Sequence, residues 1–371
     1  MAADVIGVGM LGYAFMGKAH SNAFRKLGYI MWPPPLTPRL VTLAGRNEDA
    51  VAEAARRYGF DRWTTRWEDL VADPEIGLLD NLGPNDTHAA PTIAAAEAGK
   101  QVICEKPLGR DADESYEIWR RVAATGVKHM CAFNYRFVPA VRLARELIDA
   151  GELGELRHFR GRYLQDWGDT GEQVWRFDRT AAGSGALGDL LAHVVDLARY
   201  LAGEIETVGG FVRTFIPGRE VDDAAEATVE FANGAVGTIE ATRFATGRKN
   251  AFRWEVNGSR GSIAFDLERL NELQVNMVDT SPGAAVQGFR DVLVTEADHP
   301  FWEHWWPPGH IIGWEHTFVH EIHHLLTAIR DDTDVAPHGA TLEDGYRAAE
   351  VCDAIVRSAQ SGARETVRYR S

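Results

Sequence analysis

The segment Val5-Ile6-Gly7-Val8-Gly9-Met10-Leu11-Gly12 combines an apolar run with regularly spaced glycines. Residues 4–9 are typical of a buried strand, and Gly7, Gly9 and Gly12 fit the spacing G-x-G-x-x-G. Glycines at this spacing allow a tight turn and a close approach of the backbone to a pyrophosphate at the start of a helix. We predict a helix that begins near Gly12 and a dinucleotide site formed by Gly7, Gly9, Met10, Leu11 and Gly12.

Strand-like and helix-like segments alternate from this glycine-rich segment to about residue 150. Apolar runs of strand character lie at residues 40–43, 77–82, 101–104 and 127–133. Helix-like segments of about a dozen residues separate most of them, and a proline-rich loop at residues 32–38 lengthens the first connection. Alternation of this kind indicates a parallel sheet with helices on both faces. The sequence therefore predicts an α/β fold with an N-terminal Rossmann dinucleotide-binding domain over residues 1–150.

Strands follow one another in the second half of the chain. Strand-like segments lie at residues 156–164, 208–214, 227–231, 235–241, 254–256 and 262–265, with Asn233-Gly234 as a hairpin signal. A helix is predicted over residues 188–201, and two more over 315–330 and 342–358. This order predicts a C-terminal α+β domain, residues 151–371, with a large open, mostly antiparallel sheet. We expect the last helices to pack back on the first domain.

Composition excludes several classes of protein. The 371 residues, 45% of them apolar and 25% charged, are typical of a two-domain globular enzyme. A net charge of −15 argues against a surface that binds nucleic acid. No run approaches the roughly 20 apolar residues of a membrane span, no signal peptide is recognisable, and the three cysteines are too scattered for a disulfide framework. We expect a cytoplasmic protein without a membrane or nucleic-acid partner.

The end of the second strand bears on the choice of dinucleotide. A carboxylate usually ends this strand and binds the ribose hydroxyls, but here Gly45 holds that position and Arg46 follows. A guanidinium can bind a 2′-phosphate, and no carboxylate repels it, so the pattern favours NADP over NAD. NAD stays open as a cofactor, because Arg46 could stack on adenine, and Asn47 or a residue of the loop at 33–38 could reach the ribose.

Three motifs follow in a fixed order: Gly83-Pro84-Asn85 with His88, Cys104-Glu105-Lys106-Pro107, and Asp189-x-x-x-His193. Together with the segment around Gly9 and Gly12, they resemble motifs of the glucose-fructose oxidoreductase / inositol dehydrogenase (Gfo/Idh/MocA) family. The resemblance extends over nearly the whole chain. It implies hydride transfer between NAD(P) and a hydroxyl carbon of a sugar or polyol, and an open sheet that commonly builds homodimers or homotetramers.

The resemblance also implies roles for single residues. Lys106 matches the lysine that lies between nicotinamide and substrate, and Asp189 and His193 match a pair at the start of a C-domain helix. The expected cofactor contacts beyond the glycine-rich segment are Arg46, Pro84, Asn85, His88, Glu105 and Lys106. In the branch of the family that acts on anhydrosugars, sugar-pocket positions correspond to Tyr135, Gln165, Trp167 and Arg176, beside Asp189 and His193.

Alcohol oxidation explains why such residues are needed. A hydride leaves the carbon for the nicotinamide, so the protein must provide a base at the hydroxyl oxygen. Asp189 and His193 are four residues apart and share one face of a helix, where Asp189 could orient His193 as the base. The ammonium of Lys106 would polarise the oxygen. The reverse assignment, with Lys106 as the base, stays open.

Two other patterns have both a functional and a packing interpretation. His320-Glu321-Ile322-His323-His324 satisfies the zinc-protease pattern H-E-x-x-H, but no third ligand can be chosen and the segment is simply rich in histidine, so we predict no metal site. Tryptophans can stack on sugar faces or pack in an aromatic core. Trp167 could stack on a sugar, and the choice is equally open for Trp302, Trp305, Trp306 and Trp314.

The predicted function is an NAD(P)-dependent dehydrogenase acting on a ring hydroxyl of a sugar, anhydrosugar or cyclitol. Oxidation at the 3-hydroxyl of a glucopyranose-like ring is the favoured form. A keto-sugar reductase or a relative of dihydrodiol dehydrogenase would use the same residues in either direction. A non-catalytic redox sensor that binds dinucleotide is the alternative from another class, but it would not need a base.

Overall fold

The apolar segment that begins the described chain forms a strand, β1 (Val5–Leu11), in the interior of a parallel sheet. The structure, a computed structural model, describes residues 5–169, 174–278 and 287–371, so Asp4, predicted to begin this strand, lies outside the described residues. The chain divides into two units. The first contains the residues up to Phe137 and residues 313–346, and the second contains residues 138–312 and 347–371.

The division between units differs from the predicted boundary at residue 150. The second unit already begins at Val138, because α6 (Pro139–Asp149) packs against strands of the second sheet. Residues 313–346 return to the first unit, where α9 (His316–Asp331) packs on α1 (Phe15–Ile30). The last long helix, α10 (Leu342–Ser361), begins in the first unit and ends in the second.

The first unit is a Rossmann domain, as predicted. Its six parallel strands have the order β3–β2–β1–β4–β5–β6, so the order reverses between β1 and β4. The remaining strands are β2 (Thr37–Ala44), β3 (Arg62–Thr64), β4 (Leu78–Asn81), β5 (Gln101–Cys104) and β6 (His129–Cys131). The remaining helices are α2 (Glu48–Tyr58), α3 (Glu68–Ala72), α4 (Ala89–Glu97) and α5 (Ala112–Ala123). The central strands are buried because helices cover both faces of a parallel sheet.

The glycine-rich turn lies later in the chain than predicted. Gly7 and Gly9 lie inside β1 and pair with β2 and β4, so they are not part of a turn. A Cβ on Gly7 would stand 1.8 Å from the carbonyl oxygen of Glu75, and one on Gly9 would stand 2.7 Å from Cδ1 of Ile76. These glycines are therefore required by packing within the sheet. The predicted cofactor contacts at Gly7, Gly9 and Met10 are corrected: all three residues are buried in the strand.

The turn itself begins at Gly12, directly after β1 ends at Leu11. Gly12 has a φ of +106°, which a residue with a side chain rarely adopts, and its N–H donates to the carbonyl oxygen of Ala44 at 3.0 Å. The helix α1 then starts at Phe15, and a Cβ on Gly17 would stand 2.4 Å from the carbonyl oxygen of Gly12. The fingerprint of this protein is thus G-x-A-x-x-G over residues 12–17, with Ala14 at the middle position.

The second unit contains a nine-stranded sheet, as the strand-rich second half of the sequence predicts. Its order is β14–β13–β12–β11–β7–β10–β9–β8–β15, and every pair is antiparallel except β7 with β10. The strands are β7 (Leu156–Leu164), β8 (Ile205–Arg213), β9 (Ala224–Phe231), β10 (Val236–Thr242), β11 (Ala251–Gly258), β12 (Gly261–Asp266), β13 (Glu272–Met277), β14 (Arg290–Leu293) and β15 (Glu365–Thr366). The helices α7 (Arg179–Ala182) and α8 (Ala192–Ala202) belong to this unit.

One face of the second sheet is covered and the other is open. Buried and exposed residues alternate along β9, and α8 packs against β7, β10 and β11 on the covered face. Asn233-Gly234 forms the predicted hairpin between β9 and β10, where Gly234 has a φ of +83°. Among the described residues, no helix combines the length and apolar character needed to cross a membrane.

The predicted helix over residues 188–201 begins with an irregular turn. Leu187–Leu191 form one π-helical turn before α8 starts at Ala192. The carboxylate of Asp222 accepts the N–H groups of Gly185 at 2.6 Å and Leu187 at 2.7 Å, which anchors the start of this turn. Since π-helical turns often occur at functional sites, the position of Asp189 within it is notable.

The packing of Gly7 yields a test of the corrected turn. We expect Gly7→Ala to lower the free energy of unfolding of the first unit by about 1–3 kcal/mol, because the backbone of Glu75 cannot move away from a new methyl group. Gly28→Ala is the matched control. Nothing lies within 4 Å of its added Cβ in α1, and a gain of up to about 1 kcal/mol is expected. Urea unfolding measures both. If Gly7→Ala keeps its stability but no longer binds the dinucleotide, Gly7 is a cofactor contact and the correction is wrong.

Candidate active site

Four strands of the first unit end in one row. Register partners run from Leu11 in β1 through Asn81 in β4 and Cys104 in β5 to Cys131 in β6. The loops that follow these strands therefore begin at the same edge of the sheet, on both sides of the point where the strand order reverses. Ligands of open α/β sheets bind outside this edge. Predicted site residues on these loops are Gly12, Pro84, Asn85, Glu105, Lys106 and Tyr135.

The N-terminus of α1 fits an anionic ligand. Its N-cap residue, Ala14, provides no side-chain hydrogen bond, and the first turn contains no acidic residue. The first N–H groups of a helix have no partner within the helix, and they carry partial positive charge. The turn at residues 12–17 therefore fits the pyrophosphate of a dinucleotide.

His88 connects two of these loops. The buried imidazole places Nε2 3.0 Å from the carbonyl oxygen of Gly83 and Nδ1 2.9 Å from that of Pro107. Burial lowers its pKa, against the opposing effect of the two carbonyl groups. Since both nitrogens face the backbone, His88 positions the loops after β4 and β5, which corrects its predicted role as a direct cofactor contact.

A buried charged cluster lies beneath Lys106. His20 in α1 places Nδ1 3.1 Å from Oδ2 of Asp80 and Nε2 3.5 Å from Oε1 of Glu105. The other carboxylate oxygen of Glu105 accepts the backbone N–H of Lys106 at 3.0 Å. Burial alone would lower the pKa of His20, but the charges of Asp80 and Glu105 raise it well above its usual value. Glu105 therefore faces the protein interior and sets the backbone of Lys106.

At the end of β2, a tyrosine ring lies beside the position where a carboxylate usually binds the ribose. A Cβ on Gly45 would stand 2.2 Å from Cε1 of Tyr13, so the tyrosine ring occupies the space beside this glycine. Arg46 is exposed, whereas the side chain of Asn47 caps α2 by accepting the N–H of Ala50 at 2.9 Å. The loop at residues 33–36 lies at the opposite end of the eight-residue strand, about 26 Å away. Of the alternatives left open by the sequence, the loop at residues 33–36 is thus too distant, Asn47 uses its side-chain oxygen to cap α2, and Arg46 is exposed at this edge.

The second unit has a polar edge of its own. Leu164 at the end of β7 pairs with Thr242 at the end of β10 and with Ala251 at the start of β11. The next residues beyond this row are Gln165, Arg243 and Asn250. The ends of β7 and β10 and the start of β11 therefore bring three polar residues to the same edge of the sheet.

Hydrogen bonds connect the side chains at this edge. The indole of Trp167 donates to Oε1 of Gln165 at 2.5 Å, and Nε2 of Gln165 donates to Oδ1 of Asn250 at 2.8 Å. The hydroxyl of Tyr163 donates to the same oxygen of Asn250 at 2.6 Å. The ring of Tyr163 also lies edge-on to His193, with centroids 5.9 Å apart. The predicted residues Gln165, Trp167 and His193 therefore belong to one connected group.

Asp189 lies beside two guanidinium groups. Arg243 donates through Nη2 to Oδ2 of Asp189 at 2.9 Å, and Nε of Arg176 lies 3.9 Å from the same oxygen. The Asp189 carboxylate is therefore ion-paired with Arg243 and lies within reach of Arg176. The predicted residues Arg176 and Asp189 are thus brought together, with Arg243 as a third member that sequence analysis did not identify.

Family profiles match most of the chain. Residues 5–133 match the family described as "Oxidoreductase family, NAD-binding Rossmann fold", and residues 141–264 match the "GFO/IDH/MocA C-terminal domain". The chain belongs to the Gfo/Idh/MocA family. Membership in this family makes the protein an oxidoreductase with an NAD-binding domain, which favours an enzyme over a non-catalytic sensor.

Individual members of the Gfo/Idh/MocA family resemble this chain over almost its full length. Levoglucosan dehydrogenase of Pseudarthrobacter phenanthrenivorans is 43% identical, covering 95% of this chain and 96% of that protein. Inositol 2-dehydrogenase of Rhizobium meliloti is 27% identical, covering 94% and 96%. A solved levoglucosan dehydrogenase in complex with NADH and levoglucosan superposes with a TM-score of 0.94 at 43% identity, covering 98% of this chain and 100% of that one.

The histidines of the H-E-x-x-H segment in this family member contact the protein backbone. Nδ1 of His320 lies 2.9 Å from the carbonyl oxygen of Phe137, and Nε2 of His324 lies 2.8 Å from that of Val335. Within residues 5–169, 174–278 and 287–371, no group of three or more potential ligands could hold a metal ion.

Two of the four C-terminal tryptophans have packing roles. Trp302 is buried, and its indole donates to the carbonyl oxygen of Trp306 at 2.8 Å. Trp314 stacks on Phe15 with centroids 5.4 Å apart and meets the ring of Phe318 edge-on. For Trp302 and Trp314 the packing interpretation is therefore the one that the contacts favour.

Sequence analysis missed Tyr163, Asn250 and Arg243. A signal was present, since Arg243 directly follows β10 and Asn250 directly precedes β11. Polar residues next to strands are common, however, and only the pairing of β7 with both strands shows that these two meet Gln165.

Proposed function

We propose that this family member is an NAD(P)-dependent dehydrogenase that oxidises a ring hydroxyl of a sugar, anhydrosugar or cyclitol. Oxidation of levoglucosan at its 3-hydroxyl is the most specific form of the proposal. The polar edge of the second unit is the observation that carries the proposal. The Trp167 indole, the hydrogen-bonded amides of Gln165 and Asn250, and the Asp189 carboxylate paired with Arg243 together suit a hydroxylated ring. The resemblance to levoglucosan dehydrogenase supports the choice of substrate. The three buried free thiols support a reducing compartment, the cytoplasm.

Each of three side chains has a distinct role in this proposal. Bound NAD(P) supplies the acceptor for the hydride. Lys106 polarises the reacting oxygen, and the Glu105 carboxylate that accepts its N–H fixes its backbone. His193 receives the hydroxyl proton, since an imidazole exchanges protons near neutral pH. Asp189 accepts a hydrogen bond as a carboxylate held by Arg243.

A substrate panel tests the reaction. Levoglucosan, glucose and an inositol are each offered with NAD and with NADP, and turnover is followed at the nicotinamide absorbance band. We expect turnover with at least one ring hydroxyl and the highest kcat/KM with levoglucosan. Absence of turnover with every ring substrate and both dinucleotides would reject the proposed function.

Two variants separate the proposed roles. Lys106→Ala is expected to lower kcat by about 10²–10³-fold without weakening dinucleotide binding, because it removes a donor to developing charge. His193→Ala is expected to lower kcat by about 10²–10⁴-fold and to abolish the pH dependence of kcat near neutrality. His310→Ala, at an exposed histidine, is the control. An unchanged pH profile in His193→Ala would make Lys106 the better candidate for the base.

We also propose that NADP binds at least as tightly as NAD. The two residues directly after β2, Gly45 and Arg46, include no carboxylate, and the exposed Arg46 can form a charge-assisted hydrogen bond with a 2′-phosphate. Arg46→Ala should therefore weaken NADP binding about 10- to 100-fold more than NAD binding. Isothermal titration of both dinucleotides measures the difference. Equal losses would mean that Arg46 only stacks on adenine. Gly45→Asp is a less direct test, because its Cβ would displace the ring of Tyr13.

The open face of the second sheet is proposed as the contact of a homodimer or homotetramer. Phe211 on β8 is 64% exposed, and it borders a groove lined by alternating charges, among them Arg160, Glu226 and Arg253. Such a face can pair with a second copy of itself through opposite charges around apolar contacts. Phe211→Glu should shift the sedimentation coefficient toward the monomer, whereas Tyr29→Glu, at a tyrosine 82% exposed on α1, should not. A monomeric wild type would reject this contact.

A further inference from the structure

Arg243 is buried in the second unit although it carries a full charge. Its side chain is 1% exposed and follows directly after β10. Nη2 donates to Oδ2 of Asp189 at 2.9 Å and to the carbonyl oxygen of Gly185 at 3.2 Å. Among the described residues, Nε and Nη1 of Arg243 have no hydrogen-bond partner. A buried guanidinium with two unsatisfied nitrogens lowers the stability of the fold, so stability alone does not explain an arginine at this position.

The flat face of the same guanidinium supports an aromatic ring. The guanidinium carbon of Arg243 lies 4.6 Å from the centroid of the Trp167 ring and 5.7 Å from that of Phe177. A desolvated cation over an indole is attracted by the electrons of the ring, more strongly than at an exposed site. Arg243 therefore contacts the proposed sugar-stacking ring and the proposed catalytic carboxylate at once.

The two contacts connect elements that are otherwise separate in sequence. Trp167 lies in the loop after β7, whereas Asp189 lies in the π-helical turn before α8. Positions at a reacting centre must be held to within fractions of an ångström, and displacement of about 1 Å can cost a factor of about 10² in rate. One planar, rigid group that binds both residues fixes their separation in a way that a flexible ammonium would not.

We propose that Arg243 is a positioning residue of the active site, which holds Asp189 as an ionised hydrogen-bond acceptor and holds the Trp167 ring against the substrate. This inference rests on the proposed function and deepens it, since it assigns proton transfer to His193 and not to Asp189. Arg243 itself does not touch the reacting atoms. It acts through Asp189 on kcat and through Trp167 on the KM of the sugar.

A set of variants separates these two effects. Arg243→Met is expected to lower kcat about 10- to 100-fold and to raise the KM of the sugar, with dinucleotide affinity unchanged. Arg243→Lys retains the charge but not the flat surface, so it should recover part of kcat while the KM stays raised. The matched control is Arg142→Met. Arg142 in α6 is likewise a buried arginine over an aromatic ring, with its guanidinium carbon 5.1 Å from the centroid of the Phe301 ring.

A double-mutant cycle then tests whether Arg243 acts through Asp189. In an Asp189→Asn background, Arg243→Met should change kcat by less than about twofold, because the residue through which it acts has already been altered. Losses that multiply, or an equal loss of kcat in Arg142→Met, would overturn the role of Arg243 and leave only a packing effect. If Arg243→Met does not fold, an Arg243→Lys variant with wild-type kcat and KM would overturn it equally. A wild type that oxidises no sugar rejects the proposed function itself, an outcome distinct from multiplicative losses in an active enzyme.

Discussion

The alignment of parallel strand ends is the constraint on which the nucleotide-binding unit depends. Along the interior strands of a parallel sheet, neighbouring strands satisfy the backbone N–H and C=O groups, so a ligand can reach unpaired groups only where the strands end. Leu11, Asn81 and Cys104 are successive register partners, which brings the glycine-rich turn, the loop after β4 and the Glu105-Lys106 pair to one edge. His88 then joins the second loop to the third. Each predicted cofactor residue that remains at this edge owes its place to that register.

Beneath this edge, a buried ionic cluster gives Lys106 a fixed backbone. Buried charges usually destabilise a fold unless they are paired, and His20 is paired on both nitrogens, with Asp80 and with Glu105. The two carboxylates raise the pKa of His20 well above its usual value despite its burial. The cluster explains why Glu105 points inward: one of its oxygens pairs with His20, and the other accepts the backbone N–H of Lys106, the residue proposed to act on the substrate.

Local patterns in the sequence predicted the elements better than the contacts between them. The strands Gln101–Cys104 and Leu156–Leu164 and the Asn233-Gly234 hairpin match their predictions, because composition and turn chemistry act over a few residues. The glycine-rich turn was misplaced for a tertiary reason. Gly7 is a glycine because the backbone of Glu75 packs against it, and nothing within β1 reveals that neighbour. The turn at residues 12–17 was not predicted, because Ala14 holds a position at which the pattern requires glycine.

In the second unit, a single parallel pair of strands brings polar residues to one edge of the sheet, whereas in the first unit the whole sheet is parallel. In a purely antiparallel sheet, neighbouring strands end at opposite edges, so polar residues that follow consecutive strands are separated by the length of a strand. Because β7 and β10 run parallel, both end at the edge where β11 begins. Gln165, Arg243 and Asn250 meet there although nearly eighty residues separate the first two in sequence. The parallel pair thus places Gln165 of the proposed sugar pocket and the guanidinium that binds Asp189 at the ends of adjacent strands, and a change of register at β10 would separate them.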